Sequence, residues 1–191
     1  MTLEFVRQIW PGYPFEAKSP EVKKSRALGM GFGGGKGSIA TRKVAFLISD
    51  GVERASVETM KKKLGKEGAE PVLIGTKVGP LTYGDGSTED IGHTYLTDAS
   101  VLYDALYTPS GKSVDVLLGN PDYFRFVNEG YRHCKAIAFA KGTEKLAEKS
   151  LVKKDRGVVF EKDGKGWASQ FVDVMRQHRV WDLEEDRKVP C

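Results

Sequence analysis

The chain has 191 residues, of which 40% are hydrophobic and 29% are charged, and its formal net charge at pH 7 is +4. This length fits one globular domain with room for an arm, and it excludes two large domains. The longest apolar runs, VAFLI and AIAFA, cover about five residues, whereas a membrane-spanning helix needs roughly 20.

Residues 1–41 differ in composition from the rest of the chain. They begin with MTLEFVRQIWPGYPFE, which lacks the basic start and apolar core of a signal peptide. The run GMGFGGGKGS follows, but Met30 and Gly37 stand where a Walker phosphate-binding loop requires Gly and Ser or Thr. We therefore predict an extended arm and a glycine-rich linker. The aromatic residues of the arm, which we expect to dock on another surface, are Phe5, Trp10, Tyr13 and Phe15.

From Arg42 onward, strand-like and helix-like segments alternate. Apolar runs predict buried strands over residues 43–49, 70–76, 102–111, 135–140 and 157–160. An Asp-Gly pair, Asp85-Gly86, predicts the turn of a small hairpin after the second strand. This alternation predicts an α/β fold: a flavodoxin-like, doubly wound parallel sheet of order 2-1-3-4-5, flanked by helices in a three-layer sandwich.

Helical segments follow the strands, and their apolar spacing predicts which residues face the core. We expect Asn120 to cap one helix, with Pro121 in its first turn, and Thr143 to cap the helix after the fourth strand. The predicted inward residues of three helices are Val57, Met60 and Leu64; Phe124, Val127 and Tyr131; and Phe171, Val174, Met175, His178 and Trp181.

The positive charge comes largely from lysines such as Lys61 to Lys63 and Lys66. No nucleic-acid motif accompanies them, so we interpret them as a solvated helix face and predict neither a nucleic-acid nor a membrane partner. Two cysteines, Cys134 and Cys191, are too few for a disulfide framework, and a reduced, cytoplasmic setting is favoured. Cys134 is expected to be half-buried between a helix and a strand.

The three histidines, His93, His133 and His178, have no metal-ligand spacing among themselves or with the cysteines. We therefore predict no structural metal site and no cofactor held by this chain. Any catalytic group would have to lie among the polar residues that follow the carboxyl ends of the strands.

The stretch KAIAFAKGTEKL, residues 135–146, predicts a strand, a tight turn at Lys141-Gly142 and a helix. Such elbows hold the nucleophile of many α/β enzymes, because the N–H groups of the helix face developing negative charge. The elbow residue is Ala140, which cannot attack a substrate. Cys134 lies at the opposite end of the strand, about 20 Å away, and cannot replace it.

Other polar residues are expected at the same edge. Asp50 and Glu53 would be able to form an acid pair there, but we favour the explanation that Asp50 serves the turn and Glu53 the start of the helix. Lys141 would bind an anion or simply be a solvated turn residue. Further polar or small residues at this edge are Ser49, Ser56, Ser110 and Gly111. We assign no catalytic residue among them, because no Ser or Cys stands at the elbow with a proton acceptor beside it.

Several segments, in this order, resemble the C-terminal domain of large-subunit haem catalases: KVAFLISDGVERASVETMKKKL, GDGS, YDALYTPSG, HCKAIAFAKGTEKL and MRQHRVWDLEEDRKVP. That domain belongs to the ThiJ/PfpI, class I glutamine-amidotransferase-like superfamily, and the resemblance covers residues 42–191. Active ThiJ/PfpI proteins carry Cys at the position of Ala140 and a supporting Glu at that of Ser56. The resemblance thus implies a scaffold without its nucleophile.

The resemblance also implies a function and partners. Residues 42–191 would be a non-catalytic accessory domain that stabilises a hydrogen peroxide-dismutating catalase, whose core domain holds the haem. The partners would be that catalase core and neighbouring subunits. Two alternatives stay open: a chaperone-like module for unfolded client proteins, and a stand-alone ThiJ/PfpI hydrolase, glyoxalase or deglycase, against which Ala140 argues.

Overall fold

A computed structural model describes residues 37–188. The predicted arm, residues 1–41, lies almost entirely outside this range, so its boundary stays a prediction. The strands are β1 Lys43–Leu47, β2 Glu70–Gly75, β3 Gly79–Thr82, β4 Thr88–Ile91, β5 His93–Thr94, β6 Ala105–Thr108, β7 Ala136–Phe139 and β8 Val158–Phe160. The helices are α1 Arg54–Lys66, α2 Ser113–Leu118, α3 Pro121–Arg132, α4 Glu144–Lys149, α5 Trp167–Arg176 and α6 Glu184–Arg187. Short 3-10 helices cover Ser100–Leu102, Glu161–Asp163 and Trp181–Leu183.

The central sheet is parallel throughout and has the order β5-β2-β1-β6-β7-β8. Every residue of β6 and β7 is buried, as expected for strands covered by helices on both faces. The predicted α/β fold with a mostly parallel sheet is therefore confirmed. The structure adds β5 outside β2, and this strand of two residues is too short to produce an apolar run in the sequence.

The predicted hairpin is the antiparallel pair β3–β4, which forms a separate two-stranded sheet. Gly86 adopts a φ of 85° in its turn, and the Asp85 carboxylate accepts a hydrogen bond from the backbone N–H of Ser87 at 2.9 Å. The Asp50 carboxylate accepts from the backbone N–H of Thr82 at 2.9 Å. The hairpin is thus attached to the loop that follows β1.

Apolar residues fill the space on both faces of the sheet. On one face, α1 buries Val57, Met60 and Leu64, as predicted, and α5 adds its own apolar side chains. On the other face, α3 covers the sheet, and its Asn120 cap accepts from the backbone N–H of Asp122 at 2.9 Å, also as predicted. The buried residues of α3 are Tyr123, Phe126, Val127, Gly130 and Tyr131.

Three details of the predicted helices are wrong. Phe124 is only half-buried, because α3 turns Tyr123 and Phe126 inward instead. The helix α5 ends at Arg176, so His178, with a φ of 65°, and the half-buried Trp181 lie beyond it. Thr143 stands at the N-cap of α4, but its hydroxyl donates to the carbonyl of Ala140 at 2.7 Å instead of accepting from the helix.

Candidate functional site

The elbow after β7 is present, with Ala140 as its buried first residue. The N–H of Thr143 donates to the carbonyl of Ala140 at 3.2 Å, and Gly142 adopts a φ of 87°, so the chain makes the tight turn predicted at Lys141-Gly142. Ala140 is 1% exposed, and its own N–H donates to the carbonyl of Thr108 at 3.0 Å. It is not among the described non-glycine residues with positive φ. The elbow therefore lacks the backbone strain that exposes a nucleophile in enzymes with this turn.

The N–H group that follows the elbow residue is already bound. The backbone N–H of Lys141 donates to the carboxylate of Glu161 at 2.8 Å. In nucleophile-elbow enzymes, the corresponding N–H forms part of the oxyanion hole, which must be free to receive the developing charge. Here a carboxylate of the protein fills that place, so Lys141 does not offer its N–H group to an external anion.

Ser56, in the first turn of α1, links this helix to the carboxyl end of β6. Its hydroxyl shares a hydrogen bond of 2.8 Å with the Tyr107 hydroxyl and accepts one of 3.1 Å from the backbone N–H of Ser110. Burial raises the pKa of Tyr107 well above its usual range, so this phenol is neutral at physiological pH. Ser56 thus has a tyrosine and a backbone amide as partners, neither of which can remove its proton at physiological pH.

A crevice of about 260 Å³ opens beside these groups, at the edge where the strands end. The rings of Tyr107 and Trp167 stack along it, with centroids 6.0 Å apart and planes at 29°. The polar groups around it include two carboxylates, those of Glu53 and Glu161. Its complete lining is Glu53, Ala55, Ser56, Thr59, Met60, Tyr107, Ser110, Glu161, Trp167 and Ala168.

Asp50 and Glu53 do not act as a pair in this structure. The Asp50 carboxylate pairs with the Lys77 ammonium at 2.9 Å, and the backbone N–H of Thr82 together with Lys77 holds its pKa below the usual value. Glu53 occupies the N-cap of α1, but its side chain makes no capping hydrogen bond there. Asp50 therefore belongs to the hairpin attachment, whereas Glu53 faces the crevice.

Gly111 joins the segment after β6 to the segment after β1. It forms an isolated antiparallel bridge with Val52, and its φ is 131°. A Cβ atom at this position would lie 2.4 Å from the backbone nitrogen of Glu53, which is shorter than any real contact of that kind. The chain segments that follow β1 and β6 therefore approach each other more closely than a side chain would allow.

Cys134, the other residue considered as a nucleophile, lies at the opposite edge of the sheet. Cys134 is completely buried, not half-buried as predicted, and adopts a φ of 56° just before β7. Burial raises the pKa of its thiol, which keeps the sulfur protonated. Cys191 lies outside the described residues.

The three histidines lie at the surface, each beside a carboxylate. The distances are 3.0 Å from His93 to Asp98, 3.6 Å from His133 to Glu129 and 3.5 Å from His178 to Asp104. Within residues 37–188, no three His, Cys, Asp or Glu side chains are grouped so that they could hold a metal ion. In the same range, no helix is both long and apolar enough to cross a membrane.

Sequence reasoning missed Glu161, Tyr107 and Trp167. Glu161 directly follows β8 and could have been found by the same rule that picked out residues after the other strands. Tyr107 lies inside an apolar strand and Trp167 starts α5, so both looked like core residues. Only the folded chain brings their rings together.

This architecture defines a domain with the DJ-1/ThiJ/PfpI-like fold, and alanine occupies its elbow. A similar solved structure is a two-domain protein from Anabaena variabilis containing DJ-1/ThiJ/PfpI-like and ferritin-like domains. The TM-score is 0.55 at 25% sequence identity, over 68% of this chain and 38% of that chain. The resemblance drawn from the sequence is thus confirmed at the level of the fold.

The family model described as the C-terminal domain found in long catalases matches residues 40–183, and the chain belongs to this family. Catalase HPII from Pseudomonas putida is 32% identical over 170 residues, which cover 88% of this chain and 23% of that protein. Catalase-2 from Bacillus subtilis is 33% identical over 147 residues, which cover 75% of this chain and 21% of that protein. The chain therefore spans less than a quarter of the length of these relatives.

Proposed function

We propose that this chain is a non-catalytic accessory domain of a long catalase, and that it acts through contacts with the haem-bearing core domain and neighbouring subunits. The observation that carries the proposal is the state of the elbow: Ala140 replaces a nucleophile, and the Glu161 carboxylate binds the N–H of Lys141. A site with neither a nucleophile nor a free oxyanion hole has lost the two parts that acyl-transfer chemistry needs.

Membership of the catalase C-terminal family supports the choice of partner. Dismutation of hydrogen peroxide and the haem that supports it would belong to the core domain, since the matched segment covers only 23% of the Pseudomonas putida catalase and 21% of the Bacillus subtilis catalase. The described surface also offers apolar side chains for contacts. Leu96 is 72% exposed, Val101 71% and Leu102 59%, and all three lie between β5 and β6.

The proposal is tested in a long catalase whose own C-terminal domain is deleted or replaced by this one. We expect the deletion to shorten the half-life of activity on heating, and the replacement to lengthen it again, with the same haem absorption spectrum in every form. A second replacement that carries Leu96→Ser and Val101→Ser serves as the matched control. A deletion form with the heat stability and kinetics of the intact enzyme would refute the accessory role.

The two alternatives have less support. The chaperone-like function rested on Phe5, Trp10, Tyr13 and Phe15, which lie outside the described residues, so it stays a prediction. The hydrolase, glyoxalase or deglycase function would require a nucleophile where Ala140 stands. Turnover of methylglyoxal by the chain, above the rate of a heat-denatured sample, would favour that alternative over the accessory role.

A further inference from the structure

The crevice beside the elbow carries negative charge without a matching cation. Both Glu53 and Glu161 line it. Within residues 37–188, neither of these two carboxylates forms an ion pair with lysine or arginine, whereas Glu58, on the same helix as the crevice wall, pairs with Lys61. After burial, which raises the pKa of Tyr107 most, the nearby charges that raise it further are those of Glu161 and Glu53. The Tyr107 hydroxyl therefore lies within reach of the charge of both carboxylates.

Two aromatic side chains line the same crevice as these carboxylates. Trp167 is half-buried and stacks on the buried ring of Tyr107, while Met60, Ala55 and Ala168 complete the apolar part of the lining. Indole is the aromatic ring that attracts cations best, and the attraction grows where water is partly excluded. An aromatic face beside unpaired carboxylates is the combination that recognises an organic cation.

The groups available select one kind of cation. One oxygen of Glu161 accepts from the N–H of Lys141, so its other oxygen and the carboxylate of Glu53 remain as acceptors. A guanidinium group is planar, stacks on aromatic rings and donates several hydrogen bonds in its own plane, whereas an ammonium group is compact, strongly hydrated and does not stack. We propose that this crevice binds a guanidinium group, stacked on Trp167 and hydrogen-bonded to Glu53 and Glu161.

The guanidinium group has two possible sources, a free small molecule or an arginine side chain of another chain. The proposal is independent of the accessory role, because a domain can bind such a group whether or not it stabilises a catalase. The two ideas also fail in different experiments: one in heat inactivation of a catalase, the other in direct binding to this chain.

The test is a titration of the full chain, labelled with ¹⁵N, followed by NMR. Methylguanidinium is compared with methylurea, which has the same shape and no charge, and with methylammonium, which has the charge and a different shape. We expect saturating shifts of the Trp167 indole N–H and the Lys141 amide with methylguanidinium, about tenfold weaker binding of methylammonium and no saturation with methylurea. Equal responses to all three compounds, or none at all, would overturn the proposal.

Two variants and a matched control make the result specific. Glu53→Gln and Glu161→Gln should each weaken methylguanidinium binding about tenfold, because each replaces a charged acceptor by a neutral one. Glu58 lies on the same helix as part of the crevice lining but pairs with Lys61. The control variant Glu58→Gln should therefore leave methylguanidinium binding unchanged. A similar loss in all three variants would mean that only the overall charge matters, and the proposal would fall. The spectrum of each unliganded variant shows whether it is folded.

A last pair of titrations separates the two sources. Agmatine represents the free small molecule, and the peptide acetyl-Gly-Arg-Gly-amide represents an arginine side chain. Tighter binding of agmatine supports a free ligand, and tighter binding of the peptide supports an arginine from another chain. If neither binds more tightly than methylurea, the crevice is not a guanidinium site.

Discussion

The backbone N–H of Lys141 donates to the Glu161 carboxylate at 2.8 Å, and this bond joins the turn after β7 to the first residue after β8. Because Glu161 is only half-buried, solvent screens this bond, and we expect Glu161→Ala to lower the free energy of unfolding by about 1 kcal/mol. Urea titration measures this change. Lys165→Ala, at an exposed position of the same loop, is the control and should have no effect. Equal stability of Glu161→Ala and the unmodified chain would contradict the contribution assigned to this bond.

A cysteine placed in the elbow should stay unreactive. Position 140 is 1% exposed, its backbone is not strained, and the adjacent N–H is occupied by Glu161. We expect the thiol of Ala140→Cys to react with a thiol reagent at least about 100-fold more slowly than that of Lys141→Cys, which is exposed. Peptide mapping by mass spectrometry separates these sites from the native cysteines. Comparable rates at both positions would show that the elbow is still open to reagents.

The hydrogen bonds of Ser56 should be coupled to those of Tyr107. Ser56→Ala removes the side-chain partner of the Ser110 N–H and of the Tyr107 hydroxyl, which keeps only a longer bond of 3.4 Å to the Ser56 carbonyl, so we expect a loss of about 1–3 kcal/mol of stability. Tyr107→Phe should cost about 1 kcal/mol, because it removes the bond shared with the Ser56 hydroxyl and the longer one to the Ser56 carbonyl but leaves the Ser110 N–H with its partner. The double variant should lose less than the sum of the two, since both changes remove the same bond. Strict additivity in urea unfolding would show that the two hydroxyls do not interact.

Two helical glycines should respond to alanine in opposite directions. A Cβ atom at Gly130 would lie 2.3 Å from Cδ1 and 3.2 Å from Cγ of the buried Leu106, whereas one at Gly65 meets nothing within 4 Å. Gly130→Ala is expected to destabilise the protein by about 1–3 kcal/mol because it overpacks the contact between α3 and β6. Gly65→Ala should stabilise it by about 0.5–1 kcal/mol through helix propensity. The same sign for both substitutions in thermal unfolding would contradict the packing described for α3.

Stability should depend on pH through a buried lysine. Lys135 is 1% exposed and donates to the carbonyl of Ser100, and burial, with a smaller effect of Arg179, lowers its pKa to about 7. Between pH 7 and 10 the unfolded chain therefore holds a proton that the folded chain releases. In this window the free energy of unfolding should rise with pH by at most about 1.4 kcal/mol per unit, and below pH 7 this contribution should be flat.

The control for this prediction is Lys135→Met, which removes the titrating group and keeps a long side chain. Urea unfolding of both proteins at pH 6, 7, 8 and 9 separates the slope from the constant cost of the substitution. In the variant, the free energy of unfolding should lack the rise with pH that Lys135 adds above pH 7. Parallel curves for the two proteins would show that Lys135 titrates at the same pH in the folded and unfolded chains.

The fold was predictable because its main strands are continuous apolar runs separated by helical periods. The strand β5 escaped because two residues carry no period, and only their pairing with Ile74 and Gly75 makes them a strand. On α3, three aromatic residues lie within four positions, so more than one inward face satisfies the helical spacing. The packing of Tyr123 and Phe126 against the sheet decides between these faces.

The candidate site was predictable only in part. The elbow with Ala140 is formed by consecutive residues, whereas the side chains around it come from distant parts of the chain. Glu161 lies 20 residues from Lys141 along the chain, and Ser56 lies 51 from Tyr107. Such pairs depend on how the strand ends are arranged in space. The guanidinium-binding crevice therefore could not be inferred before the rings and carboxylates were placed together.

Gly111 bears on how such a domain can evolve. Its φ of 131°, and the 2.4 Å that would separate a Cβ atom here from the nitrogen of Glu53, leave no room for any other amino acid, whatever the side chain. This constraint is one of chain geometry and has nothing to do with a reaction. Any chain that keeps the segments after β1 and β6 this close together therefore needs glycine at position 111, with or without a nucleophile in the elbow.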